Sequence, residues 1–168
     1  FLPETKRPDP AWHGLMDVLD ARGAKLDTLH AGDTVSLGGS LGIRALWPPR
    51  HYAGEDNYMS LVLRITHGGS SLLLTGDIEA EAEAGLLASG AELSGDLLKV
   101  AHHGYRTSSA LPLLGAIRPR WAVISCDSSV YGHPHAETLA GLGRFLPDDA
   151  RILRTDREGT VAFALDPE

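Results

Sequence analysis

After Asp9-Pro10, apolar residues return at helical spacing, at Leu15, Val18 and Leu19, and Gly23 ends the run. Asp as N-cap with Pro at the first helical position is a strong helix start. The pattern then shortens to strand length. Residues 26–31 read as one strand, and 33–37 with 41–47 as a hairpin about Gly38-Gly39, stopped by Pro48-Pro49. A loop of polar and small residues runs to about Tyr58. Residues 60–67 and 70–75 form a second predicted hairpin turning at Gly68-Gly69, its second strand almost wholly apolar. Residues 78–89 predict an acidic amphipathic helix closed by Gly90. Beyond it come a buried strand over 97–101, a helix over 108–117 with Pro112 near its first turn, and a buried strand over 121–125. A helix over 135–145 and strands over 151–154 and 160–165 complete the chain. Interior strands alternating with helices imply layered α/β packing.

Polar residues recur where the apolar strands end. Asp77 follows Leu72-Leu73-Leu74-Thr75-Gly76, and His102-His103 follows Leu97-Leu98-Lys99-Val100-Ala101. Cys126-Asp127 follows the strand over 121–125, with His133-Pro134-His135 just beyond. Rigid strands aim such residues into one crevice, and an Asp with several His there has the oxygen and nitrogen donors of a metal site. Each element also has a plainer reading. Asp77 could cap the helix from Ile78, His102-His103 could be a turn, and His135 could be a helix-start residue. Asn57 and Ser60 could bond only their local backbone. His13, His30, His51 and His67 read as surface or core residues. Gly38-Gly39-Ser40-Leu41-Gly42 matches the G-x-S-x-G string, but a strand follows it where a nucleophile elbow needs a helix. Glu79, Glu81 and Glu83 alternate along a helix and read as a solvated surface.

Composition narrows the classes. The 168 residues are 43% hydrophobic, which excludes wholesale disorder. No run approaches the ~20 apolar residues of a bilayer crossing. Cys126 is the only cysteine, so an internal disulfide and a Cys-based zinc cluster are excluded. Fifteen basic residues face 22 acidic ones, a net charge of −7. Nucleic-acid binders usually carry a basic surplus, so DNA would need a local patch, a metal or something outside this chain to hold it. Residues 1–8 read as a linker and 9–168 as one partial domain.

The strings Asn57-x-x-Ser60-Leu61-Val62-Leu63, Leu73-Leu74-Thr75-Gly76-Asp77, Leu98-Lys99-Val100-Ala101-His102-His103-Gly104 and Tyr131-Gly132-His133-Pro134 occur in that order. Together with Arg154-Thr155-Asp156-x-x-Gly159-Thr160, they resemble the metallo-β-lactamase-like domain of the ComEC family of DNA-internalisation competence proteins. The resemblance covers about residues 33–164. It implies a four-layered αββα sandwich, and the early His/Asp metal cluster of that fold is absent here, so the chain resembles its second half. Asp77 falls on the metal-bridging Asp and His102 best on the late metal-ligating His, with His103 the alternative. Asn57 falls near a position where many relatives place another His.

The resemblance further implies a metal-dependent phosphodiesterase, with manganese or zinc in the complete domain. Asp77, His102 and His133 would be catalytic, His133 contacting phosphate or protonating the leaving group. Asn57, Ser60, His103 and Ser108 would position substrate. Its partners would be single-stranded DNA and the rest of a parent membrane protein, and its location the extracytoplasmic face of the cytoplasmic membrane. Asp77 and His102 alone fall short of the three ligands of a catalytic zinc, so weak or absent metal binding and no activity are expected of this chain by itself. A sheet face left open by a missing half would invite homodimerisation. The rival readings are another hydrolase of the superfamily, acting on a lactone, thioester or nucleotide, and a non-catalytic scaffold of an uptake channel.

Overall fold

The computed structural model describes residues 10–52, 57–146, 148 and 151–164. The predicted linker, 1–8, lies outside them. One mixed seven-stranded sheet organises the chain, its strands lying side by side in sequence order. They are β1 (Thr34–Ser36), β2 (Gly42–Trp47), β3 (Val62–His67), β4 (Ser70–Leu74), β5 (Leu97–Lys99), β6 (Trp121–Ile124) and β7 (Ile152–Arg154). Pairing is antiparallel from β1 to β4 and parallel from β4 to β7. A register shift interrupts the β2–β3 ladder between Ala45 and Trp47.

The helices are α1 (Pro10–Ala21), α2 (Ala80–Ala88), α3 (Leu111–Ile117), α4 (Ser128–Tyr131), α5 (Ala136–Gly143) and α6 (Thr155–Glu158). Short 3-10 turns stand at Asn57–Met59 and Ala101–Gly104. No helix among the described residues is long and apolar enough to cross a membrane.

The core lies on one face of the sheet. Val62, Leu73, Leu98, Ala122 and Ile124 pack there against Ile78, Ala82 and Leu86 of the α2 region, Leu113, Leu114 and Ile117 of α3, and Leu142 of α5. Alternation sends their neighbours to the other face. Register places Ile43, Ile65 and Leu72 in one row across it, and Leu63, Leu74, Lys99 and Val123 in another. These residues are only half-buried. Lys99 is the one Lys or Arg among them. Burial pushes its ammonium pKa down, against the pull of the Asp77 charge.

Two predicted strands do not form. In 26–31 only Thr28 makes an isolated bridge. The end of the stretch is tied by single bonds instead: Ala31 N donates to Pro48 O and His30 N to the Asp33 carboxylate, and Gly32 N just beyond it donates to Ala45 O. Residues 160–164 carry no strand either, and Phe163 packs edge-on against Trp121 at 5.9 Å. The helices predicted from 78 and 108 begin later, at Ala80 and Leu111. The small helices α4 and α6 were not foreseen. Asp127 caps α4 by accepting from Ser129 N.

Candidate active site at the carboxyl edge of the parallel strands

Because β4 to β7 are parallel, their carboxyl ends share one edge, and every loop that leaves it is followed by a helix. At the end of β4, Thr75 Oγ1 donates to Lys99 O at 2.6 Å and ties the loop to β5. Gly76 then turns at φ 55°, where a Cβ would stand 2.8 Å from Ser60 Cβ, so glycine is required. Asp77 N donates to Ser60 Oγ at 3.1 Å. Ser60 reaches that position because β3 starts beside the point where β4 ends. The capping reading of Asp77 fails: α2 begins at Ala80 with Glu79 at its N-cap. The Asp77 side chain stays 41% exposed, open toward the edge.

β5 delivers the tandem histidines on a left-handed turn. His102 (φ 46°, ψ 45°) and His103 (φ 56°, ψ 19°) both occupy a region that costs a non-glycine residue roughly 1–3 kcal/mol. The surroundings hold it. His102 N donates to Gly76 O (3.1 Å) and Tyr105 N to His102 O (2.8 Å). His135 N and Thr138 Oγ1 donate to Gly104 O. The Ser108 hydroxyl, buried beneath the turn, lies 3.0 Å from Ala101 O and 2.8 Å from Tyr105 O and donates between them.

The two imidazoles therefore diverge. His103 Nδ1 donates to Ser125 O at 2.6 Å, which leaves Nε2 as its free nitrogen, 3.8 Å from Asp77 Oδ1. His102 Nδ1 lies 3.1 Å from Glu79 Oε1. The structure thus pairs Asp77 with His103, the alternative in the sequence reading, and turns His102 to Glu79. His133 closes the group. Ring centroids stand 6.3 Å apart for His102–His103, 6.2 Å for His102–His133 and 6.4 Å for His103–His133. Burial, helped by the neighbouring imidazoles, holds the His133 pKa below its ordinary value. A cleft of about 250 Å³ opens here, lined by His103, Ser125, Cys126, Asp127, Tyr131 and His133.

Three residues that sequence reasoning passed over hold the site in place. Glu79 accepts from Thr107 Oγ1 (2.6 Å) and Asn57 Nδ2 (3.3 Å). Those bonds, with Thr107 foremost, hold its carboxyl below the usual range. Glu83, only 2% exposed, accepts from the backbone N–H groups of Ser109 and Ala110 and so caps α3 from outside. Only Glu81 is the exposed residue expected, bonded by Tyr52 Oη. The signal was present: Glu79 and Glu83 are four residues apart and share a helix side. Behind β6, Asp156 takes two bonds from the Arg154 guanidinium, at 3.0 and 2.6 Å, and one from Cys126 Sγ at 3.3 Å. Thr155 Oγ1 accepts from Cys126 N.

The pair of His103 Nε2 and Asp77 has the donor chemistry of a divalent-cation ligand set, with the imidazole already oriented by a carbonyl. A catalytic centre needs at least three protein ligands. Among the described residues no three His, Cys, Asp or Glu side chains converge on one ion position.

No protein-family model matches the chain. It is 30% identical over 163 residues to ComE operon protein 3 of Bacillus subtilis, covering 96% of this chain and 20% of that protein. It is 38% identical over 113 residues to competence protein ComA of Neisseria gonorrhoeae, covering 66% of the chain and 16% of the relative. With recombination protein 2 of Haemophilus influenzae it shares 34% identity over 106 residues, 62% of the chain and 13% of the relative. The chain spans a fifth or less of the length of each of these proteins.

Proposed function

The chain is a domain of the ComEC-like competence proteins, and we propose that it forms one wall of a phosphodiester-cleaving cleft that acts on a DNA strand during uptake. One observation carries this reading. Loops from three successive parallel strands bring Asp77, His102, His103 and His133 together at a single edge, the tandem histidines on a strained turn. Strain of that kind persists where function over-determines the backbone. The half-buried apolar face of the sheet fits the inner half of a metallo-β-lactamase-like αββα sandwich, which other parts of the whole protein would cover.

In the complete domain a divalent metal would supply Lewis acidity and an activated water. Asp77 and His103 of this chain would be two of its ligands, the rest coming from elsewhere. The residues here do separate work. Ser60 and Gly76 set the Asp77 loop, and Ser125 O fixes the His103 tautomer. His133 lines the cleft, where it would contact phosphate or protonate the leaving group. Asn57 and Ser108 act from behind, through Glu79 and through the turn.

The test uses a complete ComEC-like protein carrying these residues. Asp77→Ala and His103→Ala should each lower hydrolysis of single-stranded DNA by about 100-fold or more. Hydrolysis unchanged in both variants would favour a scaffold, and cleavage of a lactone or thioester in place of DNA would favour another hydrolase. Calorimetric titration of this chain alone with manganese or zinc should show weak binding or none. Tight stoichiometric binding would mean that the chain closes a ligand shell by itself.

A further inference from the structure

We propose that Glu79 is the positioning residue for His102, fixing which imidazole nitrogen carries the proton. The inference rests on the reading of this edge as a catalytic site. Three separate segments meet at the Glu79 carboxylate. Asn57 comes from the turn before β3, Thr107 from the loop after the tandem histidines, and His102 from the turn itself. Thr107 takes Oε2, while Oε1 faces both Asn57 Nδ2 and His102 Nδ1. The carboxylate is 19% exposed and the imidazole 20%, so neither is free to exchange its partner for bulk water. Among the described residues, His102 Nδ1 is buried and makes no hydrogen bond of good geometry, so the Glu79 oxygen 3.1 Å away acts on it as a close charge.

A neutral imidazole carries one N–H, and its place is set by the strongest acceptor beside it. With a carboxylate oxygen 3.1 Å from Nδ1, the proton sits at Nδ1 and Nε2 keeps its lone pair. His102 and His103 then reach the same tautomer by two different routes. Ser125 O serves His103, and the Glu79 carboxylate serves His102. The left-handed turn explains the need for two routes. It throws the consecutive rings apart, T-shaped at 69°, so one backbone carbonyl cannot orient both.

A loop staple and a positioning residue make different predictions. Long-range proton–nitrogen correlation spectra of this chain read the tautomer of each imidazole directly and do not depend on catalysis. His102 should be the Nδ1–H form in the unsubstituted chain. Glu79→Ala should change its tautomer ratio by about tenfold or more, the size expected on losing a part-buried contact to a charged group, and leave His103 unchanged. Asn57→Ala and Thr107→Val keep the carboxylate but loosen it, and should change the ratio by about two- to threefold. Glu79→Asp, whose shorter side chain holds the charge further back, should restore part of the effect.

An Nε2–H tautomer in the unsubstituted chain, or an unchanged His102 ratio in folded Glu79→Ala, overturns the proposal. If Glu79→Ala does not fold, unchanged ratios in Asn57→Ala and Thr107→Val do so. A shifted tautomer in a complete protein that cuts no DNA would leave the positioning role standing and sink the nuclease reading instead.

Discussion

The sheet joins two halves built by different rules. From β1 to β4 neighbouring strands are antiparallel, and from β4 to β7 they are parallel. The first half turns tightly at Gly38-Gly39 and Gly68-Gly69, and its loops fall alternately at opposite edges. The second half must cross over after each strand, so all its outgoing loops leave from one edge. The candidate catalytic residues lie on that edge. The antiparallel half adds to it only where β3 starts beside the end of β4, through Asn57 and Ser60. Strand polarity, more than local residue content, decides where titratable groups meet.

Glycine substitution tests that contrast with the largest expected effect. Gly104 lies at φ 81°, at the end of the tandem-histidine turn, and a Cβ there would stand 2.5 Å from Pro134 Cβ. Gly39 lies at φ 57° with nothing within 4 Å of its added Cβ. Gly104→Ala should cost about 3 kcal/mol, combining overpacking with left-handed strain, and Gly39→Ala about 1 kcal/mol from the backbone alone. Urea unfolding measures both. Equal losses would show the site edge to be no more tightly built than a hairpin.

Legibility in the sequence divides along the same line. The parallel strands stood out because burial on both faces or nearly so makes them continuous apolar runs, and their polar carboxyl-terminal residues were visible as breaks in those runs. Asp77, His102, His103 and His133 were singled out this way, and the structure brings them to one edge. Which of the two adjacent histidines turns to Asp77 was not legible, because it depends on a left-handed turn that neither residue prefers by itself. Residues 26–31 misled for the opposite reason. The stretch was read as a strand, but the N–H groups of His30 and Ala31 go to the Asp33 carboxylate and to Pro48 O instead of a strand ladder. Glu79 and Glu83 were hidden by reading each acidic residue as a contact with water, when their partners lie about 25 to 30 positions further along the chain.

Glu83 and Glu81 sharpen the comparison at an intermediate scale, since both lie on the helix that leaves β4. Glu83→Ala would leave the buried Ser109 N–H and the Ala110 N–H without their acceptor, at a cost of about 2–3 kcal/mol. Glu81→Ala removes one exposed bond to Tyr52 and should stay within about 0.5 kcal/mol. Chemical denaturation distinguishes them. Near-equal losses would return the whole acidic helix to the solvated surface first read from its sequence.

The smallest effect is a pH dependence with two opposed signs. The Arg154 guanidinium, with the Ser128 hydroxyl, holds the Asp156 carboxyl well below the usual carboxylate range. A depressed folded-state pKa contributes stability that is complete above the unfolded value, about 3.9, and is lost as pH falls through the folded one. Burial raises the Glu83 pKa instead, ahead of the opposing pull of the Ala110 and Ser109 N–H groups. As pH drops through that raised value the folded chain takes up a proton before the unfolded chain does, so Glu83 adds stability until about pH 4.3, where the unfolded chain protonates too. Urea midpoints measured from pH 7 down to pH 3 should therefore flatten or rise before they fall. Asp156→Asn should remove part of the fall below about pH 4 and leave the upper segment unchanged, whereas Glu83→Gln should remove only the upper segment. The two groups brace different things: Asp156 holds the loop behind β6, and Glu83 holds the start of α3 beneath the tandem histidines. If Asp156→Asn altered the upper segment as well, the two braces would be one coupled unit, and the edge would not be assembled loop by loop.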